Sequence, residues 1–186
     1  DVVTTSDEMD NRLADTLKRL RMPRGLLQRV AGVHERRRWA ADQSFESAAI
    51  AAGEKALAEA GISASDIGLI INTSVTRPHL EPSVAVRMHH GLGLPSSAMN
   101  FDIANACLGF INGVQVASAM IDAGMIEYAV VLVAEDVRSM HEGTVSRLQR
   151  EGITRKDFLN EFATMTLGCG AAAAVIGPAA RGRPAG

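Results

Sequence analysis

Strand-like and helix-like segments alternate along this chain, and that alternation constrains its fold more than any other feature of the sequence. Residues 67–75 (IGLIINTSV) and 128–134 (YAVVLVA) are short apolar runs rich in β-branched residues, which is typical of strands buried on both faces. Between them, residues 108–123 are apolar around almost a whole helix. This order of segments predicts an α/β protein in which helices cover a mixed sheet.

Capping residues, glycines and prolines predict where the other elements begin and end. Thr5 and Ser6 stand before an acidic turn and predict the start of an amphipathic helix that continues through Leu20. We expect a second helix over residues 47–60, with Gly61 at its C-terminal cap. The remaining expected elements are a helix opened by Pro82 and ended by Gly91 or Gly93, and strands over residues 99–104 and 165–176.

The composition bears on the class of protein. Lys and Arg number 19 against 21 Asp and Glu, a net charge of −2, so a nucleic-acid partner is not expected. No run approaches the ~18 apolar residues of a membrane span, and residues 1–10 do not read as a signal peptide. Two cysteines do not make a disulfide framework, which favours a reducing cytoplasm as the location.

The last ten residues differ in composition from the rest of the chain. Pro, Gly, Ala and Arg make up all of residues 177–186, which is typical of a linker. The preceding part is 176 residues long in a chain that is 47% apolar, enough for a real core. We therefore expect one domain unit over residues 1–176 and a linker over residues 177–186.

Cys107 is the candidate nucleophile because it stands where a predicted strand gives way to a predicted helix. Free amides of a first helical turn and the helix dipole place positive potential there, which favours a nucleophilic thiolate. The alternative, a buried cysteine that only fills space, is equally compatible with the spacing. Cys169 falls inside the predicted last strand, so a structural role is expected for it.

Small residues follow Cys107 at a helical spacing. Gly109, Gly113 and Ala117 recur every four residues and form one smooth stripe along the predicted helix. Such a stripe lets another backbone approach closely. It predicts close packing of this helix against a second helix.

The segment ANACLGF around Cys107 resembles the nucleophile motif of the thiolase superfamily, in its ketoacyl-synthase-III-like branch. Further similar segments occur in the same order: TSDE near the start, GVHERR at residues 32–37, AGISASDIGLII at residues 60–71 and LGCGAAAAV at residues 167–175. The resemblance implies the layered αβαβα thiolase fold. It also implies that this chain is the N-terminal half of that fold, with the nucleophile helix buried inside it.

Glu81, in the segment HLEPS, carries a finer resemblance. It is similar to a glutamate of the OleA type of thiolase-fold enzyme, which joins two fatty acyl thioesters head to head. In that type the glutamate crosses the dimer interface and acts as a base in the neighbouring subunit. A Claisen condensation without loss of CO₂ must remove a carbon-bound proton, so it needs such a carboxylate. The alternative for Glu81 is a solvated acid beside the helix opened by Pro82.

The resemblance implies an acyltransferase that condenses two long-chain fatty acyl-CoA molecules through an acyl-Cys107 intermediate, with Glu81 as the base. The product would be a β-keto acid or its thioester. Coenzyme A would enter only as part of the substrate, and no metal or redox cofactor is expected. Two alternatives stay open: a decarboxylative 3-oxoacyl-carrier-protein synthase III, and an accessory subunit of a heterodimer that lends Glu81 across the interface.

The resemblance also implies partners. In the family, the His and Asn that assist the cysteine lie in the second half of the fold. None of the chain's five histidines matches that position; they are His34, His79, His89, His90 and His141. We therefore expect a chain carrying the C-terminal half, within a homodimer or heterodimer, and a complex rather than a lone monomer because the half alone would expose an apolar face.

A run of positive charge between residues 18 and 38 is the other candidate feature. Eight basic residues stand there against Glu35: Lys18, Arg19, Arg21, Arg24, Arg29, Arg36, Arg37 and Arg38. A solvated face is one interpretation. The other is a positive funnel for the phosphates of coenzyme A or a carrier protein, without any single residue identified as a ligand.

Overall fold

The computed structural model describes residues 2–179, which divide into two compact units. The first unit contains residues 2–42 and 136–170, and the second contains residues 43–135 and 171–179. Residues 177–179, the start of the predicted linker, follow the last strand without regular secondary structure. Residues 180–186 of that linker lie outside the described residues, and the predicted domain boundary stays a prediction.

Helices and strands alternate as the sequence predicts. The helices are α1 (Ser6–Arg12), α2 (Ala14–Arg19), α3 (Leu26–Ala31), α4 (Phe45–Ala60), α5 (Ala85–Gly91), α6 (Gly109–Asp122), α7 (Arg138–Leu148) and α8 (Arg155–Glu161). The strands are β1 (Val2–Thr5), β2 (Glu35–Arg38), β3 (Ile67–Asn72), β4 (Met99–Asp102), β5 (Tyr128–Glu135) and β6 (Gly170–Ile176). None of the helices within residues 2–179 combines the length and the apolar character that crossing a membrane requires.

The first unit pairs β1 with β2 in antiparallel register and packs five helices around an apolar cluster. Thr5 and Glu8 form a reciprocal capping box at the start of α1, which confirms the predicted cap. The predicted single helix is two, because the backbone at Leu13 leaves helical geometry between α1 and α2. The apolar periodicity nevertheless holds across the break, and the cluster consists of Met9, Leu13, Leu17, Leu27, Val145, Leu148, Phe158 and Met165.

The second unit is built on a four-stranded sheet in the order β4-β3-β5-β6. Strand β3 runs parallel to both β4 and β5, and all residues of β5 except its ends and Val133 are buried. The predicted strand over residues 67–75 ends at Asn72. There the Asn72 side chain accepts hydrogen bonds from the amide and hydroxyl of Ser74, which turns the chain out of the sheet.

Helix α4 ends at the predicted Gly61 cap but begins at Phe45, two residues before the predicted start. Ser44 and Ser47 form a capping box at its start, and Gly61 ends it with a φ of 67°. Two other boundaries differ. Helix α5 begins at Ala85 rather than at Pro82, and β6 begins at Gly170 because residues 164–166 form a 3₁₀ turn that buries Met165 in the first unit.

The small-residue stripe of α6 packs against the sheet, and not against a second helix as predicted. A Cβ added at Gly113 would lie 2.8 Å from Val131 Cγ1 and 2.9 Å from Thr73 Cγ2, so only glycine lets the helix come this close. On the opposite side of α6, Ile111 is 55% exposed. Within the described residues, the helix that the resemblance implies to be buried is covered along one stripe only.

Candidate active site

Cys107 lies at the junction between a strand and a helix, as predicted. Strand β4 ends at Asp102, a 3₁₀ turn covers residues 106–108, and α6 starts at Gly109. The Cys107 side chain is exposed. An exposed sulfur at the first turn of a helix is accessible to a substrate and faces the positive end of the helix dipole.

The residue before Cys107 has a strained backbone. Ala106 has a φ of 44°, in the left-handed region that residues with a Cβ rarely occupy. The turn is held by a hydrogen bond from Leu108 N to Asn105 O at 3.0 Å, and by one from Asn105 Nδ2 to Asn112 Oδ1 at 2.6 Å. Such strain clusters at functional sites, where the surrounding structure maintains it. Sequence reasoning missed it, because no residue type signals a left-handed alanine.

A close backbone contact seats this turn at the end of β3. A Cβ added at Gly109 would lie 3.0 Å from the carbonyl oxygen of Thr73. The turn that carries Cys107 therefore sits directly beyond the carboxyl end of β3. Reactive and binding groups of α/β proteins commonly lie at that edge of the sheet.

Glu81 is exposed in the loop between β3 and α5. The peptide bond from Glu81 to Pro82 is cis. Among the described residues, no hydrogen bond joins Glu81 to Cys107. The exposed carboxylate is available to a group from outside this loop.

The loop that carries Glu81 is tethered at both ends by carboxylates. Near its start, the Glu135 carboxylate at the end of β5 accepts bonds from Val75 N at 2.8 Å, Thr76 N at 2.9 Å and Thr76 Oγ1 at 2.7 Å. Asp102, at the end of β4, binds the other end. Both carboxylates stand at the carboxyl edge of the sheet.

Asp102 accepts five hydrogen bonds. Its donors are Asn72 Nδ2 at 3.0 Å, Arg77 Nη1 at 3.1 Å, Ser83 Oγ at 3.0 Å, Val84 N at 2.9 Å and Ala85 N at 3.0 Å. Its side chain is only 6% exposed. Burial by itself raises the pKa of Asp102, but the hydrogen bonds outweigh it, so the pKa lies below its usual value and the carboxylate stays ionised. The sequence analysis did not single out Asp102, since a lone Asp after a strand carries no pattern.

Cys169 has a different setting and lies one residue before β6, not inside it as predicted. Its Sγ is 3.7 Å from Asp136 Oδ1, and its amide donates to Arg37 O at 2.8 Å. Hydrogen bonds from Arg138 hold the pKa of Asp136 below its usual value. A half-buried thiol hydrogen-bonded to a carboxylate fits the expected structural role.

The histidines show no metal centre. Within the part of the chain that is described, no group of three or more His, Cys, Asp or Glu side chains could hold a metal ion. His141 is fully buried in the first unit, with Nε2 3.0 Å from Thr164 O. His89 Nε2 is 3.0 Å from Pro95 O. Both therefore bond to backbone carbonyls.

Six of the eight residues of the basic run are exposed: Lys18, Arg19, Arg21, Arg24, Arg29 and Arg37. Arg38 is half-buried, and Arg36 is only 4% exposed and donates to Ser6 Oγ at 2.8 Å. Two of the exposed guanidinium groups also donate to backbone carbonyls, as in Arg19 Nη2 to Arg150 O at 2.8 Å. A funnel for phosphates stays a prediction.

Comparison with known proteins shows which families the chain is similar to. A sequence model of the family described as 3-oxoacyl-[acyl-carrier-protein (ACP)] synthase III matches residues 101–148. This segment contains Cys107, all of α6 and all of β5. The match therefore covers the turn that carries Cys107 and the helix that follows it.

Curated relatives extend the similarity over nearly the whole chain. An acyl-CoA:acyl-CoA alkyltransferase of Xanthomonas campestris is 45% identical over 172 residues, covering 92% of this chain and 51% of the relative. A protein of the same name from Shewanella oneidensis is 34% identical over 175 residues, covering 94% and 50%. A β-ketoacyl-[acyl-carrier-protein] synthase III of Serratia proteamaculans is 38% identical over 104 residues, covering 56% and 32%. The chain spans about half the length of the two alkyltransferases.

Solved structures agree on the fold. The crystal structure of acetamide-bound Xanthomonas campestris OleA matches with a TM-score of 0.91 at 44% identity, covering 95% of this chain and 55% of that one. A Cys-to-Ser variant of the same protein, with bound lauric acid and lauroyl-CoA, matches with a TM-score of 0.89, covering 95% of this chain and 52% of that one. The chain therefore has the thiolase fold and is similar, over nearly its whole length, to about half the length of the OleA-type proteins in the ketoacyl-synthase-III-like branch of the thiolase superfamily.

Proposed function

We propose that the protein containing this chain condenses two long-chain fatty acyl-CoA thioesters head to head, without loss of CO₂, with Cys107 as the nucleophile and Glu81 as the base. One observation carries the proposal: the exposed Cys107 thiol on a strained turn at the start of α6. The Xanthomonas campestris relative named acyl-CoA:acyl-CoA alkyltransferase supports the substrate class.

In the first step the Cys107 thiolate attacks the thioester carbonyl of one acyl-CoA. The carbonyl π electrons move to oxygen, and nearby backbone amides, including that of Cys107 itself, stabilise the resulting oxyanion. A positioned donor of this kind is worth about 10²–10³ in rate. The bond from carbon to the sulfur of coenzyme A then breaks. Coenzyme A leaves as its thiolate and takes up the proton that the Cys107 thiol lost when it ionised, and the acyl group stays on Cys107 as a thioester.

In the second step Glu81 removes a proton from the α-carbon of the second acyl-CoA. The carbanion attacks the acyl-Cys107 carbonyl, a carbon–carbon bond forms, and the Cys107 thiolate leaves. The product is a β-ketoacyl-CoA, which one water converts to the β-keto acid and free coenzyme A. The exposure of Glu81 fits a base that acts across a dimer interface, in the partner subunit's site.

The partners of the proposal follow from this chemistry. The two fatty acyl-CoA molecules are substrates, and the activated carbon is acidified by its own thioester, so the steps above need no metal or redox cofactor. The remainder of the thiolase fold supplies the His and Asn that assist Cys107. A reduced, cytoplasmic setting is part of the proposal because the mechanism needs a free Cys107 thiol.

Decarboxylative condensation is the second candidate. The family match at residues 101–148 and the Serratia proteamaculans relative favour it, since both carry the name of the synthase III class. That reaction obtains its carbanion by losing CO₂ from a malonyl thioester and has no need for Glu81 as a base. Release of CO₂ from labelled malonyl-carrier protein distinguishes it from the main proposal.

Separation of the two steps tests the roles of the two residues. In the assembled, active protein, Glu81→Ala should leave acylation of Cys107 by an acyl-CoA within about threefold of the parent. It should lower condensation by about 10²–10⁴, the contribution of a general base. Acylation is measured by intact mass in a single turnover, and condensation by β-keto product. Glu54→Ala, which removes another exposed acid of the second unit, serves as the matched control.

Each possible result has a clear meaning. Unchanged condensation in Glu81→Ala reduces Glu81 to a loop acid and refutes the main proposal. Failure of any acyl-CoA to label Cys107 in the parent protein favours the third alternative, an accessory subunit that lends Glu81 to a partner.

A further inference from the structure

Five hydrogen-bond donors converge on the buried carboxylate of Asp102, and four of them belong to the loop around Glu81 or the first residue of α5. We propose that Asp102 is a positioning residue that holds this loop, and through it Glu81, in the geometry needed for deprotonation of the second acyl-CoA. The inference rests on the function proposed above and assigns it a further residue.

The donors flank Glu81 on both sides in sequence. Arg77 binds Asp102 Oδ2 from the N-terminal side of the loop, and its side chain is only 16% exposed. Ser83 and the amide of Val84 bind from the C-terminal side. The residues between these anchors are tied at both ends to one carboxylate. Glu81 stands between them, exposed, on a loop that cannot drift without breaking several of these bonds.

Asp102 also belongs to the strand that leads to the nucleophile. It is the last residue of β4, and the next residue, Ile103, donates its amide to Asn72 O at 2.9 Å. Asn72 in turn donates its side-chain amide to Asp102. The strand end that carries Asp102 is thus followed directly by the turn of Cys107. The five donors to Asp102 lie in β3, the loop of Glu81 and α5, and none of them lies in that turn, so the hydrogen bonds of Asp102 hold the loop and not Cys107.

Charge and acceptor capacity explain why an aspartate stands there. Ionised, Asp102 offers two oxygens that only accept, and all five of its partners are donors. An asparagine of the same shape replaces one oxygen with an N–H₂ group. That N–H₂ group would face either the two donors at the Oδ2 position or the three at the Oδ1 position. Those hydrogen bonds would be lost, and the facing N–H and O–H groups would repel one another. Asp102→Asn thus loosens the loop with little change in volume.

The test compares the two chemical steps in the assembled protein. We expect Asp102→Asn to leave single-turnover acylation of Cys107 within about threefold and to lower kcat for condensation by about 10- to 100-fold, the size of effect that misplacing a reacting group produces. The double variant Asp102→Asn/Glu81→Ala should condense no more slowly than Glu81→Ala alone, because Asp102 acts through Glu81. Asp66→Asn, at an exposed acid of the same unit, is the matched control and should change neither step.

A milder variant keeps the test decisive if Asp102→Asn does not fold. Ser83→Ala removes one donor to Asp102 Oδ1 and should lower condensation by about 3- to 10-fold with acylation unchanged. The inference is overturned if these variants reduce acylation and condensation in equal proportion, which indicates a fold role only, or if they reduce neither. If Glu81→Ala itself leaves condensation intact, the proposed function fails as well. If Glu81→Ala lowers condensation but the Asp102 and Ser83 variants do not, the inference alone fails.

Discussion

The two cysteines stand in similar places along the chain and in different surroundings. Cys107 lies two residues before α6 and Cys169 one residue before β6. The Cys107 thiol is exposed beside the left-handed Ala106, whereas Cys169 is half-buried with its Sγ 3.7 Å from a carboxylate oxygen of Asp136. The backbone conformation and the neighbouring side chains therefore decide whether a thiol is exposed, more than its position near the boundary of a helix or strand does.

The regions around the two thiols differ in the same way. In the second unit, α6 lies so close to the sheet that Gly113 has no room for a side chain, and its far side is exposed. In the first unit, Cys169 neighbours the ion pair of Asp136 and Arg138, and its amide is bound to Arg37 O. Among the described residues the Cys107 thiol is thus exposed, whereas the Cys169 thiol is held by its hydrogen bond to Asp136.

Removing each sulfur in turn is the strongest test of the contrast. We expect Cys107→Ala to lower acyl transfer by at least about 10⁴, because the nucleophile is lost. Cys169→Ala should keep acyl transfer within about threefold, since only one weak hydrogen bond is removed. Intact mass after incubation with an acyl-CoA measures both. Acylation retained in Cys107→Ala, or lost in a folded Cys169→Ala protein, would reverse the contrast.

Two helix glycines sharpen the comparison between the regions. Gly113→Ala places a Cβ 2.8 Å from Val131 Cγ1, and overpacking of this kind costs about 1–3 kcal/mol, reduced by up to ~1 kcal/mol of helix propensity. Gly143→Ala in α7 meets only the flexible end of Arg147 at 3.2 Å, so it should be neutral or stabilising by up to ~1 kcal/mol. Thermal unfolding of the two variants measures the difference. Equal shifts would mean that α6 is not held tightly to the sheet.

The smallest expected effect is a pH dependence of the free energy of unfolding that arises from His141, in the unit that also contains Cys169. Burial lowers the pKa of His141, because the protein interior disfavours the charged imidazolium and its buried Nδ1 has no hydrogen-bond partner. The hydrogen bond from Nε2 to Thr164 O acts in the opposite direction and does not outweigh the burial. In the unfolded chain the His141 side chain binds a proton near pH 6.5, whereas in the folded chain it does so only at lower pH. The contribution of His141 to the free energy of unfolding is therefore complete above pH 6.5 and declines as the pH falls below it. Melting temperatures between pH 8 and pH 5 measure this decline.

A pair of histidine variants isolates the contribution of His141. His141→Gln should be less stable at every pH but should lose the part of the decline that begins near pH 6.5. His90→Gln, at an exposed position of the second unit, should retain the parental slope. An unchanged slope in His141→Gln would assign the titration to another group.

Much of the fold could be predicted because it depends on local chemistry. The apolar runs that became β3 and β5, the capping box at Thr5 and the left-handed Gly61 each express a preference of a few neighbouring residues. The predictions were wrong where a contact between residues distant in the sequence decides what a segment forms or packs against. Met165 joins the core of the first unit instead of a strand, and the stripe at Gly113 meets the sheet instead of a helix.

The sequence by itself determined the alternating elements, the position of Cys107 between a strand and a helix, and the family resemblance, because these depend on residue type and order along the chain. Only the tertiary structure decided the left-handed Ala106, the exposure of the Cys107 thiol and the anchoring of the Glu81 loop by Asp102. The physical reason is the distance along the sequence between the residues that interact. Asp102 is a single carboxylate whose donors come from β3, the loop and α5, and such convergence exists only once the chain has brought them together.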